Sequence, residues 1–148
     1  MLKTITSKSL VAYSQCAHKA FLIHCANEKG IVNEYDRIVQ QKKVDNQKEY
    51  LNILNAKNIN ILPYTRDHFR NKNNYLTNAV LKTRGLEAEC GLLERHQSAK
   101  SFSYLPTIFV GTHNITKEHK LELLFVGYVL SKLQGTLPEI GKIIPFGQ

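Results

Sequence analysis

Apolar and polar positions follow two different periods along this chain, and the change of period outlines its elements. Over residues 86–95 they alternate. Leu86, Ala88, Cys90 and Leu92 fall on one side of an extended chain, and Glu87, Glu89, Gly91 and Leu93 on the other. A second strand is predicted over 104–112 and a long helix over 117–133. The helix carries Leu121, Leu123, Leu124, Phe125, Val126, Tyr128, Val129, Leu130 and Leu133 around most of its circumference, which predicts burial on more than one side. Thr116 is suited to cap this helix and Gly135 to stop it. The strand–strand–helix unit is the predicted centre of the fold, and the polar face of its first strand is the expected place for chemistry.

The remaining elements are arranged around that unit. Leu10, Tyr13, Ala17, Ala20, Phe21 and His24 recur at helical spacing. They predict one amphipathic helix over about 8–26, capped by Thr6 or Ser7 and ended by residues 27–30. A second helical stretch is expected over 34–54, broken near Asp45-Asn46, with the polar run QQKKVDNQKE as a loop. Residues 58–64 alternate as a short strand, with Pro63 marking its end or an edge. Residues 65–74 suggest an exposed loop and 77–81 a short apolar piece, while 98–103 form a polar connection. A last strand is predicted over 142–146. The order is helix, strand, strand, strand, helix, strand with an additional early helix, an α/β arrangement with a mixed sheet.

Composition narrows the class. Among 148 residues, 43% are hydrophobic and 22% charged, which suits one globular domain. No apolar run approaches the roughly 20 residues needed to span a bilayer, so no membrane role is expected and the cytoplasm is the default compartment. Cys16, Cys25 and Cys90 are odd in number and far apart, unlike a disulfide framework or a self-contained zinc site. A net charge of +8 favours a polyanionic partner, DNA being the commonest kind, against the alternative of a solvated basic surface. Its densest groups are Lys42, Lys43 and Lys48, then Arg66, Arg70 and Lys72, then Lys82 and Arg84. No nucleotide-binding glycine motif or serine-nucleophile motif occurs. Glu87 and Glu89 are either metal ligands or the solvent-facing side of a half-buried strand. Glu94 has the opposite parity and is expected to pair near Arg95 or Lys100. An end just after Phe146 would leave the last strand uncovered. That suggests a fragment lacking a C-terminal partner domain, or a chain that pairs with its own copy as a homo-oligomer.

Three stretches carry a resemblance. ITSKSLVAYSQCAHKAFL resembles the opening helix of RecB-like nucleases, LEAECGLLER the strand that bears a metal-binding Asp, and PTIFVGTHNITKEHKLELLFVGYVLSKLQGTLPEIGKII the strand–helix–strand that follows. Together they resemble RecB-like nucleases of the PD-(D/E)XK superfamily. The resemblance implies a restriction-endonuclease-like αβββαβ core, phosphodiester hydrolysis on DNA, and Mg²⁺ or Mn²⁺ as cofactor. Carboxylates suit such hard cations, which neutralise phosphate charge and acidify bound water. The chain departs from the pattern where Gly91 takes the Asp position and where Ile108 and Val110 take those of Glu-x-Lys. Glu89, two residues earlier on the same face, and Glu49, at the place of an earlier helical carboxylate, are the surviving candidates for metal and catalytic roles. Glu122 and Val126 stand at the spacing of a helical Gln-x-x-x-Tyr. Cys16 matches the first ligand of an iron–sulfur branch, but no cysteine follows Cys90, so no cluster is expected. The alternative function is a catalytically inactive nucleic-acid-binding module or a truncated interaction subunit.

Overall fold

The predicted central strand is the longest in the sheet, and its neighbours show why. The computed structural model describes residues 3–26, 30–97 and 102–147. Their elements are β1 (Ile5–Thr6), α1 (Ser7–Gln15), α2 (Ala17–His24), α3 (Glu34–Ala56), β2 (Leu62–Pro63), α4 (Arg66–Arg70), β3 (Tyr75–Thr83), β4 (Leu86–Gln97), β5 (Phe102–Phe109), α5 (Lys117–Gln134) and β6 (Lys142–Ile144). Five strands run in the order β2-β3-β4-β5-β6, and β1 joins β4 off that path. The pairs β3–β4 and β4–β5 are antiparallel, while β2–β3, β5–β6 and β1–β4 are parallel. The class is therefore α/β with a mixed, open sheet.

Helix α5 covers one sheet face with buried Phe125, Val126, Val129 and Leu130 against Leu81, Ala88, Cys90 and Ile108. It is covered on more than one side, by the sheet and by α1, as its composition predicts, but not all round. Leu124 is 71% and Tyr128 48% exposed, because the sheet and α1 cover only part of the helix. The opposite face packs Leu92 and Phe109 under Leu54, Tyr50 and Leu51 of α3.

The alternation along β4 holds as far as Cys90 and then reverses. Thr77 pairs with Leu92 and Ala79 with Cys90, but Asn78 and Gly91 between them do not pair. Asn78 sits at φ 53°. This paired crimp shifts the parity of both strands by one residue, as an irregularity in a ladder does. Leu93 and Leu76 consequently join the α5 side, and Leu92 turns to α3, opposite to the simple alternation.

Several boundaries differ from the sequence expectation. The first helix is two helices, separated at Cys16 with extended φ −163°, ψ 118°. Helix α3 runs unbroken through Asp45-Asn46. Asp45 accepts a bond from Gln41 Nε2 at 3.0 Å. Buried Asn46 donates through Nδ2 to Val110 O at 3.0 Å and Ile144 O at 2.8 Å. Tertiary acceptors thus keep in the helix a residue that local propensity would use as a breaker. The helix crosses the sheet end closely, for a Cβ on Gly111 would collide with the Val39 carbonyl. The strand expected over 58–64 shrinks to the edge pair Leu62–Pro63, since Ile59 N still bonds Leu54 O at the helix end. The loop over 65–74 contains α4, capped by Thr65. The apolar piece at 77–81 is the middle of β3. Strand β5 stops at Phe109 and β6 at Ile144, both short of the predicted ends. Thr116 and Gly135 cap and stop α5 as expected. Most of the 98–103 connection, and the stop at 27–29, lie outside the described residues.

Candidate functional site

A break in the sheet creates the principal concavity. On the side of β4 away from β3, β5 pairs from Gln97 back to Leu92, and β1 pairs at Leu86 and Glu87. Residues 88–91 lie between these two partners with none of their own on that side among the described residues. A cavity of about 410 Å³ opens there, bordered by α1, α2, α3, β4 and α5. Three carboxylates line it, Glu87 and Glu89 from β4 and Glu122 from α5, together with Lys8, Lys19 and Lys43. A smaller cavity of about 140 Å³ also touches Lys43, Glu89 and Glu122. These three residues are thus common to both spaces.

Local bonding fixes the walls. Gln47 Nε2 donates to Asn78 Oδ1 at 2.8 Å and Gly91 O at 3.2 Å, and Thr77 Oγ1 donates to Gly91 O at 3.2 Å. Helix α3 is thereby tied to the crimp, and Lys43, one turn before Gln47, faces the opening. The helix start of α1 supplies another wall. Thr6 and Ser9 form a capping box there. Beside it, Ser7 Oγ is the one buried side-chain oxygen or nitrogen without a hydrogen-bond partner among the described residues, and Ser7 lines the larger cavity.

Electrostatics at the break come from burial first. Burial pushes the Cys90 thiol up to about 12; its bonds to Leu92 O and Thr107 O, and Lys43, act in the opposite sense, while Glu122 adds to the rise. Cys90 is therefore a neutral packing group, not a nucleophile. Burial also pulls His119 down, and Lys43 adds to that, against Glu122 and Glu118. His119 Nδ1 accepts from Thr116 N at 3.1 Å, so it serves the helix cap and stays neutral there.

The expected site residues separate. Glu89 is exposed at the break, bordering both cavities. Glu49 is exposed on α3 and lines neither of them. Glu94 pairs with Lys142 at 2.9 Å and accepts from the Tyr75 hydroxyl at 3.3 Å, not near Arg95; Lys100 lies outside the described residues. At Gly91, a Cβ would come within 2.5 Å of Phe109 Cδ2, so the ring occupies the space where a larger side chain would begin. The sequence marked Lys43 only as part of the basic group Lys42, Lys43 and Lys48, not as a neighbour of the carboxylates. Its signal was the polar repeat Gln40, Lys43, Gln47 at three- and four-residue spacing within the stretch taken for a loop.

Among the described residues, no three His, Cys, Asp or Glu side chains are grouped so as to hold a metal ion on their own. Nor is any helix among them long and apolar enough to cross a membrane. No protein-family model and no curated protein matches the chain.

Proposed function

We propose that this chain is a RecB-like nuclease domain that binds DNA at the break beside β4 and hydrolyses its phosphodiester bonds. The observation that carries the proposal is the meeting of Glu89, Glu122 and Lys43 at both cavities. The order α3, β3, β4, β5, α5, β6, with the short β2 and α4 inserted between α3 and β3, supports a restriction-endonuclease-like core, whose order is αβββαβ. Glu89 and Glu122 are the proposed carboxylate donors, and Glu49, which lies off the cavity, is not one. Two carboxylates suit Mg²⁺ or Mn²⁺ where substrate phosphate and water provide the other oxygens. Such an ion supplies charge neutralisation and a more acidic bound water. The chain's own part is to hold the strand. Lys43, Lys8 and Lys19 attract its phosphates, and the bonds from Gln47 to Asn78 and Gly91 tie α3 to the strands beside Glu89. Three unpaired cysteines suit a reducing cytoplasm.

The closure of Gly91 by Phe109 favours a second reading, a module that binds DNA without cutting it. Incubation with labelled single- and double-stranded DNA in Mg²⁺, Mn²⁺ or EDTA separates the two. Metal-dependent cleavage lost in Glu89→Gln and in Glu122→Gln is the expected result. Salt-sensitive binding with no cleavage in either metal would establish the second reading, and absence of both would refute the two together.

A further inference from the structure

A separate concavity of about 340 Å³ lies between α4 and the outer edge of β3. Strand β2 ends opposite Thr77, so from Asn78 onward β3 has no outer strand partner among the described residues. Arg66, Arg70 and Lys82 line this pocket, with Tyr64 and Phe69 as its aromatic wall. The two rings meet edge to face at 5.9 Å, and Phe69 stacks on buried Tyr104 at 5.0 Å. The segment that carries the arginines is tightly held despite its polarity. His68 Nδ1 donates to Pro63 O at 2.7 Å, Asn73 Nδ2 to His68 O at 3.0 Å, and the Tyr104 hydroxyl to Asn73 O at 2.7 Å. Neither arginine forms an ion pair or hydrogen bond among the described residues. Lys82 has only Glu87, at 3.9 Å with both side chains solvent-accessible.

We infer that this pocket binds a phosphate and the adjoining base of a single-stranded DNA segment. Two guanidinium groups without acceptors, carried on a segment whose backbone is fixed by these bonds, suit phosphate oxygens. The aromatic wall suits a base face, which every unpaired nucleotide presents. Val80 borders both this pocket and the 140 Å³ cavity that contains Lys43 and Glu89. One strand can therefore run from Arg66 and Arg70 over the β3 edge to the break in the sheet, which a free nucleotide cannot. The inference rests on the DNA-binding half of the proposed function and not on cleavage.

The test is fluorescence anisotropy of a labelled thymidine oligonucleotide of about 15 residues, long enough to span such a site, in EDTA so that no cleavage enters. The parent chain is compared with R66Q/R70Q and with a control of equal charge change, K48Q/K57Q, whose positions are exposed and line none of these cavities. Both variants are expected to keep the parent's thermal unfolding midpoint, since all four side chains are exposed. The pocket variant is expected to bind about tenfold more weakly, with a salt slope shallower by about 1.4 for two lost phosphate contacts. The control is expected to change by less than about twofold. Equal losses in the two variants would mean that net charge alone acts, and would overturn the inference. So would an undiminished affinity in the pocket variant or an absence of binding by the parent. Displacement of the oligonucleotide by thymidine monophosphate at matching concentration would overturn the assignment of a strand in favour of a free nucleotide. Loss of cleavage in Glu89→Gln with this binding retained would separate the pocket from the catalytic proposal.

Discussion

Asn46 is the polar joint between α3 and the sheet, and its removal tests how the cleft is held. Its amide donates to the carbonyls of Val110 and Ile144, two residues that are themselves joined by Val110 N to Ile144 O at 3.1 Å. In Asn46→Ala, Ile144 O keeps one donor, but Val110 O, in a buried residue, has none among the described residues. Loss of two bonds worth roughly 1 kcal/mol each, and the cost of an unsatisfied buried carbonyl, predict a destabilisation of about 3 kcal/mol. For a domain of this size that corresponds to a fall in Tm of about 6–12 °C. Urea titration followed by far-ultraviolet circular dichroism gives the free energy, with Asn52→Ala, exposed on the same helix, as the control. The control is expected to stay within about 0.5 kcal/mol. Asn46→Asp is expected to be worse than alanine, because its carboxylate would face two carbonyl oxygens. The same variants should weaken DNA binding in proportion to the loosening of α3, since Lys43 and Gln47 reach the break from that helix. An Asn46→Ala chain as stable as its control would refute the account of α3 as docked through this side chain.

Two other predictions concern the strands of the cleft. Gly91→Ala should cost about 1–3 kcal/mol by forcing the Phe109 ring aside; combination with Phe109→Leu should recover part of that loss, and simple additivity in denaturant titrations would count against the contact. Lys142 is raised chiefly by its bond to Glu94, with burial opposing. A lysine bound more tightly to its proton when folded contributes stability below its unfolded value of 10.5, and that contribution is lost as pH rises through the higher folded value. Because both partners are partly exposed, Lys142→Met should cost less than about 1 kcal/mol at neutral pH. The difference from the parent in urea titrations should shrink above pH 10.5, and a difference that grows there would refute the assignment.

Local patterns were sufficient for some elements and insufficient for others. The Thr116 cap, the Gly135 stop and the β4 alternation as far as Cys90 follow from backbone preferences and side-chain period, which neighbouring residues alone express. The class, α/β with a mixed sheet, was legible for the same reason. So was Glu89 as a carboxylate on the open face of β4, whereas Glu122 was marked only by resemblance to a helical Gln-x-x-x-Tyr. The union of these two with Lys43 was not legible, because it depends on how α3 and α5 are set against the break in the sheet. The reversal after Gly91 arises between two strands, from the unpaired Asn78 opposite it. The continuity of α3 at Asn46 depends on acceptors 64 and 98 residues away. Sequence by itself therefore determined the periodic elements, their order and the strand face that carries carboxylates. Tertiary structure alone decided which polar groups meet, because the free energy of burying Asn46 or closing Phe109 over Gly91 belongs to contacts between segments that no local propensity contains.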